Sequence, residues 1–404
     1  EGVIQSGAGD IAEFSISLED SDNTYVQIGD ESSDFVEVLY LEADDASEPM
    51  TVRVNTRVLG TDVGGSSPSE RRAKVYDTDN VDIIESEMHG DIASDNEPSI
   101  GLYEDDGSLP TNANDFTAYL EALDILDDRT NSKFNQLIRP LQSTDYSIIV
   151  AGDSTDNDAV FDADPGGEAN QELASAVLEL QQPAIGDITT HTAPEGNADD
   201  VTNVSELVDV ATPRDEVAVN DRAIIQVEAT GLYGALVYGA NGNAQADNTD
   251  YDRLSEGMST QVLNNFEENS NESVTFEVIA EEATGNQDPL EVDLTAGDTE
   301  SYVVLDNDNG QFFVVVDTSS DQAFANGDAP DEAVEFTAEL EYDADNGGER
   351  YEFANDNQPF SEQGEDSGSL GDYTNYPYLS QGETLSNTQT LTLAPREISF
   401  DNVN

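Results

Sequence analysis

Apolar and polar residues alternate over long stretches of this chain. Phe14, Ile16 and Leu18 interleave with Glu13, Ser15 and Ser17. Val274, Phe276 and Val278 interleave with Thr275 and Glu277, and Val334, Phe336, Ala338, Leu340 and Tyr342 repeat the pattern against Glu335, Thr337, Glu339 and Glu341. A period of two is that of a half-buried antiparallel strand with one dry and one solvated face. Further strand-like tracts are Tyr25–Ile28, Phe35–Leu41, Met50–Val58, Tyr146–Val150, Ala176–Leu180, Arg222–Ala229, Leu290–Leu294, Tyr302–Leu305, Tyr351–Phe353, Thr388–Leu393 and Ile398–Phe400. Phe312–Val316 is continuously apolar, which predicts a central strand buried on both faces.

The period changes in a few places. Phe116, Tyr119, Leu120, Leu123 and Leu126 fall at helical spacing behind a cap residue, Asn114 or Asp115, and Phe134, Leu137 and Ile138 extend that layer to Pro140. Asn203-Val204-Ser205-Glu206 reads as a capping box that opens a short helix near 203–210. Leu254, Met258, Val262 and Phe266 predict another over 254–266. The expected fold is all-β: two immunoglobulin-like β-sandwich domains with small helical insertions. The first domain covers 1–182 with its helical insertion at 115–138, Gln181-Gln182-Pro183 is the joint, and the second covers 186–404.

Charge places this fold in a habitat. The 404 residues carry 88 Asp and Glu against 13 Lys and Arg, a formal net charge of −75. Self-repulsion of that size opposes a compact state in dilute buffer. In about 1 M salt the Debye length shrinks to roughly 3 Å and surface carboxylates scarcely feel one another. Disorder is the other way to carry such charge, but 14 Phe, 15 Tyr and the strand periodicity speak for a core. The chain is therefore read as a folded halophilic protein whose acids occupy solvated strand faces. Nucleic acid is excluded as a partner, since its phosphates require Lys and Arg. No apolar run is long enough to be a transmembrane segment. Cysteine is absent, which rules out disulfides and thiolate metal sites. The start at Glu1-Gly2-Val3, without Met or an apolar leader, is expected to be a processed, mature end.

Five phrases resemble haloarchaeal surface proteins that carry the BGTF domain: GDIAEFSISLED (Gly9–Asp20), TTHTAPEG (Thr189–Gly196), RAIIQVEATGLYGAL (Arg222–Leu236), QFFVVVDT (Gln311–Thr318) and REISFD (Arg396–Asp401). The resemblance implies an exported protein, accompanying the surface layer and built of immunoglobulin-like sandwiches. The matching tracts are strand sequences without chemistry, so they speak to location and fold. The family's Thr-rich stalk and C-terminal hydrophobic anchor find no counterpart before Asn404, and the segment Phe116–Ile138 has no equivalent.

Candidate chemistry is thin. The histidines are His89 and His191, no G-x-S-x-G elbow is present, and both are read as structural or solvated. Proximity of two carboxylates means little among 88. Asp306-Asn307-Asp308-Asn309-Gly310 and Asp343-Ala344-Asp345-Asn346-Gly347 open like calcium loops, with Asp306, Asp308, Asp343 and Asp345 as candidate ligands. The twelfth positions, Asp317 and Ala354, lack the bidentate Glu of an EF-hand. The reading preferred is two acidic hairpin turns, with no required cofactor and weak binding of Ca²⁺ or Mg²⁺. Asn203-Val204-Ser205 and Asn271-Glu272-Ser273 are glycosylation sequons, of which Asn271 is preferred because Asn203 is engaged as a helix cap.

No catalytic grouping emerges, so the chain is expected to be no enzyme. It reads as a secreted structural subunit that self-assembles at the archaeal cell surface. The polymer would be a filament or a surface-layer-associated lattice, with copies of itself and other cell-surface glycoproteins as partners. Val3 and Ile4 are the expected assembly contacts, adding to the sheet edge of a neighbouring subunit. The alternative is a glycan-binding adhesin that exposes Tyr376 and Tyr378 as sugar platforms; a secreted carboxylate-dependent hydrolase comes third.

Overall fold

A computed structural model describes residues 2–395 apart from 91–100, 105–114, 137–139, 153–158, 165, 200, 202, 240–250, 255–256, 269–272, 281–288, 298–299, 326, 328, 331, 345–352, 355–357, 360–375 and 381. In chain order the first part contains β1 (Gly2–Gly7), β2 (Ile11–Ile16), β3 (Asn23–Asp30), β4 (Phe35–Ala43), β5 (Met50–Asn55), α1 (Pro68–Val75), β6 (Tyr76–Asp79) and β7 (Val81–Ser86). It continues with β8 (Tyr103–Glu104), α2 (Phe116–Ala122), β9 (Asp145–Ala151), β10 (Phe161–Asp162), β11 (Glu168–Ala169) and β12 (Glu172–Gln181). Then follow β13 (Ile185–Ala193), α3 (Val204–Val210), β14 (Thr212–Pro213), β15 (Glu216–Ala218), β16 (Arg222–Ala229), α4 (Tyr233–Gly239), β17 (Met258–Ser259) and α5 (Gln261–Glu268). The last strands are β18 (Val274–Ala280), β19 (Ser301–Asp306), β20 (Gln311–Asp317), β21 (Val334–Asp343), β22 (Phe353–Ala354), β23 (Gln358–Pro359) and β24 (Thr384–Ala394). The fold is mostly β, in several sheets and without a barrel.

Among the described residues each sheet takes all its strands from one side of Gln182. Before it lie a six-stranded sheet, β1-β12-β9-β3-β4-β7, and the three-stranded sheets β2-β5-β6 and β11-β10-β8. After it lie the six-stranded β14-β13-β16-β20-β19-β17, the four-stranded β15-β24-β21-β18 and the pair β22-β23. Pairing is antiparallel except at β1–β12, β10–β8 and β15–β24. An apolar core nevertheless runs through both parts, joining Ala8 and Val54 to Leu232, Tyr233 and Tyr376.

β20 is the central strand that its composition predicts. It lies between β16 and β19, and its faces enter different cores. Phe312, Val314 and Val316 pack toward the β18–β21–β24 sheet, where the rings of Phe312 and Phe276 meet edge to face at 5.9 Å. Phe313 and Val315 pack with Ile224, Val304 and Leu207, the last supplied by α3. Truncating a ring so enclosed removes about 3–5 kcal/mol of stability. β21 and β18 show the simple alternation expected of half-buried strands. Glu335, Glu339 and Glu341 sit on the wet face opposite Phe336 and Leu340.

Val3 and Ile4 lie within β1, an edge strand paired in parallel with β12, and the other edge of β1 has no strand partner among the described residues. Three expectations change. The helix expected over 254–266 starts at Gln261 instead: a 3-10 turn at Tyr251–Leu254 and the short strand β17 precede it. Buried Thr260 stops it from starting sooner, because its hydroxyl is held by the Leu294 carbonyl at 2.9 Å and by Ser301 Oγ at 2.7 Å. Leu290–Leu294 contributes only isolated bridges at Glu291 and Val292. The helical layer after Asp115 condenses to α2 and a 3-10 turn at Lys133–Asn135. Beyond it, buried Gln136 mimics a strand neighbour, accepting from Val36 N at 2.7 Å and donating to Val36 O at 3.0 Å. The tracts 351–352 and 398–400 lie outside the described residues.

Candidate functional site

The turn Gly7–Asp10 is wedged against the segment Thr230–Gly234, so two of the phrases singled out in the sequence meet across the joint. Asp10 is buried, and both of its carboxylate oxygens lie 2.8 Å from Gly231 N; Oδ1 also accepts from Tyr233 N at 3.1 Å. Gly9 O accepts from Gly234 N at 2.9 Å, and Asn55 Nδ2 donates to Gly234 O at 2.9 Å. Glycine is required at position 231: its φ is +89°, and a Cβ there would collide with Pro183 and Tyr376 Oη. Burial lifts the Asp10 carboxyl to about 7, against the pull of the backbone donors Gly231, Tyr233 and Leu232.

Beside this joint opens a cleft of about 430 Å³. One wall is the sheet β2-β5-β6, which presents Glu13, Arg53 and Asp77. The facing wall is Asn203 and Val204 at the start of α3 with Leu305–Asp308 at the end of β19, and Tyr251, Asp252 and Leu254 close it. Arg53 links neighbouring strands, its Nε 2.7 Å from Glu13 Oε2 and its Nη1 2.7 Å from Asp77 Oδ2. The sequence-predicted Asp306, Asp308 and Asn203 are thus brought to a single place. Asn307 sews the walls together, accepting from Ile11 N and donating to Ile11 O, each at 3.3 Å.

The calcium-like tract is a hairpin turn. Asn307–Asn309 form a 3-10 turn ended by left-handed Gly310, and Asp306 accepts from Asn309 Nδ2 at 2.9 Å and Gln311 Nε2 at 2.6 Å. Those amides meet both carboxylate oxygens of Asp306. Among the described residues no three acidic or histidine side chains converge to hold a metal. Asp343 ends β21 and is approached by Thr384 Oγ1 at 3.4 Å; its partner ligand Asp345 lies outside the described residues, as does Asn271.

The exposed tyrosine platform is not formed. Tyr376 and Tyr378 are buried, at 1% and 5% exposure, because Tyr376 stacks on Tyr342 with centroids 4.3 Å apart and donates to Gly231 O at 3.2 Å. They cover the joint and present no ring to a sugar. His89 is sealed as well. Its Nε2 contacts Leu59 O at 2.6 Å, and the ring lies beside Tyr76 and Phe134. Burial depresses it to about 3, which keeps the ring neutral. His191 is half-buried on β13 opposite Ile224 and Pro213. Among the hydrogen bonds of the described residues, neither imidazole meets a Ser or Thr hydroxyl; His89 reaches Ser86 Oγ only through its backbone N, at 2.8 Å. Among the buried polar groups that sequence reading passed over are Asp10 and Glu37. Glu37 accepts from Tyr76 OH at 3.0 Å, Ser86 Oγ at 3.1 Å and Met88 N at 3.2 Å, and burial raises it to about 7. The signal for Asp10 was its setting, a single acid behind Gly-Ala-Gly.

Fold and site define a mostly-β scaffold stitched across a joint, with polar residues spent on holding segments together. Residues 1–101 match a family model described as a domain of unknown function, DUF7827. Two relatives are cell surface glycoprotein 2 and cell surface glycoprotein 1 of Haloarcula hispanica. Each is 24% identical over 330 residues, covering 80% of this chain and 29% of the relative. The chain therefore spans under a third of the length of these relatives. The similarity is to surface proteins of a halophilic archaeon, as the acid-rich composition leads one to expect. No helix among the described residues is long and apolar enough to cross a membrane.

Proposed function

We propose that this chain is an extracellular structural segment of a haloarchaeal surface protein, of BGTF type, with domains at 1–182 and 186–404 and no catalytic role. It assembles with further copies of itself or with other surface glycoproteins. The relatives' names support the location. The observation that carries assembly is a neutral apolar strip on the outer face of β1, β12 and β9. Val3 is 66% exposed, Leu173 54% and Val177 37%, three of the four large apolar residues so exposed among the described residues. Val3 pairs in register with Val177, and Val177 with Ser147; Ser175 pairs with Ile149. These six positions contain no acid, whereas Asp145 and Glu179 bound the strip at one end and Glu172 at the other.

Two molecules of charge −75 can approach closely only where neither presents carboxylates. The strip adjoins an edge strand whose outer backbone groups can pair with another strand. Electron microscopy of the protein in molar salt tests this reading. Ordered polymers that are lost when Val3 and Val177 become Asp support it; dispersed particles at all concentrations overturn it. The adhesin reading has lost its tyrosine platform, and no other observation favours it.

A further inference from the structure

The sequon Asn203-Val204-Ser205 lies on the wall of the cleft, and its capping role leaves the reactive atom free. Asn203 caps α3 through Oδ1, which accepts from Glu206 N at 3.0 Å. A glycan is attached through Nδ2, which donates no hydrogen bond among the described residues. Capping and glycosylation therefore use opposite ends of the same amide, and the conflict expected from sequence disappears. Ser205, the hydroxyl position of the sequon, is exposed and accessible.

We propose that Asn203 is N-glycosylated and that the attached sugars occupy the adjoining cleft, bridging the two parts of the chain. The proposal rests on the extracellular location argued above. In the modification, Nδ2 attacks the anomeric carbon of a phosphate-activated glycan donor. The C–N bond forms, the anomeric C–O bond to phosphate breaks, the phosphate departs, and Nδ2 gives up one proton. The cleft suits a tethered sugar chain in size, since ligand sites begin at about 300 Å³. It suits one in chemistry too: Glu13, Asp77, Asp252 and Asp308 offer acceptors to hydroxyls, and Tyr251 and Leu254 offer apolar surface. A neutral glycan needs no cation to enter there, and it would cover carboxylates on both walls.

Glycopeptide mass spectrometry on protein from a halophilic archaeal host is the first measurement, with periodate oxidation of sugar diols in molar salt as the second. A glycan mass on the Asn203 peptide, oxidised at least tenfold more slowly in the native than in the unfolded protein, is expected. Ser205→Ala removes the sequon while leaving the Asn203 cap, so it should lose the glycan and lower Tm by several degrees; Ser205→Thr should keep both. An unmodified Asn203, equal oxidation rates in native and unfolded protein, or an unchanged Tm in Ser205→Ala overturns the proposal. Glycosylated, diol-protected protein that forms no polymer would count against self-assembly and leave this inference standing.

Discussion

Asp10 binds Gly231 with both carboxylate oxygens, each 2.8 Å from one backbone nitrogen 221 residues further along the chain. With Glu37 and Glu87 it is one of the few acids enclosed in a molecule that turns most of its acids outward. The contact ties the first turn of the chain to the entry of α4.

Replacing Asp10 strands the nitrogens of Gly231 and Tyr233 without an acceptor in a buried place. Each such group costs about 1–3 kcal/mol. Asp10→Ala is therefore expected to lose about 3–5 kcal/mol in denaturant unfolding at molar salt. Retention of wild-type stability would show that the joint is held elsewhere.

Stability should rise as the medium is acidified from neutrality. Asp10 and Glu37 reach about 7 in the fold from ordinary values of 3.8 and 4.5, so the folded chain binds protons that the unfolded chain releases. Their contribution is complete below the unfolded values and is lost as pH rises through about 7. His89 runs oppositely: depressed to about 3 from 6.5, it withdraws stability as pH falls between those values. Two carboxyls outweigh one imidazole, so for these groups Tm should peak near pH 4–5 and fall below about pH 4. Tm measured at several pH values in molar salt checks the shape, and Asp10→Asn should flatten its neutral limb.

Arg222 is buried between Asp199 and Asp317, with Nη2 2.5 Å from the one and Nη1 2.7 Å from the other. Removing the guanidinium leaves Asp317 sheltered beside the end of β20 with Ser319 as a donor but no counter-charge. Arg222→Ala should cost about 3–5 kcal/mol. Arg53→Ala, whose partners are more exposed, should cost about 1 kcal/mol. Equal losses in the two variants would refute the burial argument.

Assembly should be more salt-sensitive than folding. Val3→Asp places a carboxylate on the neutral strip and leaves half-buried Ile4 in place, so unfolding stability should stay within about 1 kcal/mol of the wild type. Polymer yield at a fixed protein concentration should drop at least tenfold. Dilution of salt on wild-type protein should release monomers before circular dichroism reports unfolding.

Where a residue's partners are near in sequence or share its period, the chain was readable. The two-sided burial of Phe312–Val316, the cap at Asp115 and the cap at Asn203 all follow from local pattern. α1 was passed over although Ser67 and Pro68 start it, because its exposed charged surface gives no apolar period. The cleft was not readable. Glu13, Arg53, Asn203 and Asp306 come together only through sheet order, and among 88 acids no local feature marks the few that converge. Tyr376 misled for the same reason: its cover, Tyr342, is supplied by a strand over thirty residues away, and Tyr378 packs edge-on against Tyr376.

Arg53 and Arg222 each grip two carboxylates drawn from different segments. They act as counterions tethered to the chain, present at a high effective concentration whatever the surrounding medium holds. Ions from solution must gather and be held at the acidic clusters that no Arg or Lys reaches, and they leave when diluted. The chain's few cations therefore divide it into points that keep their own neutrality and a surrounding surface that borrows it, and desalting should loosen the second while the first still hold.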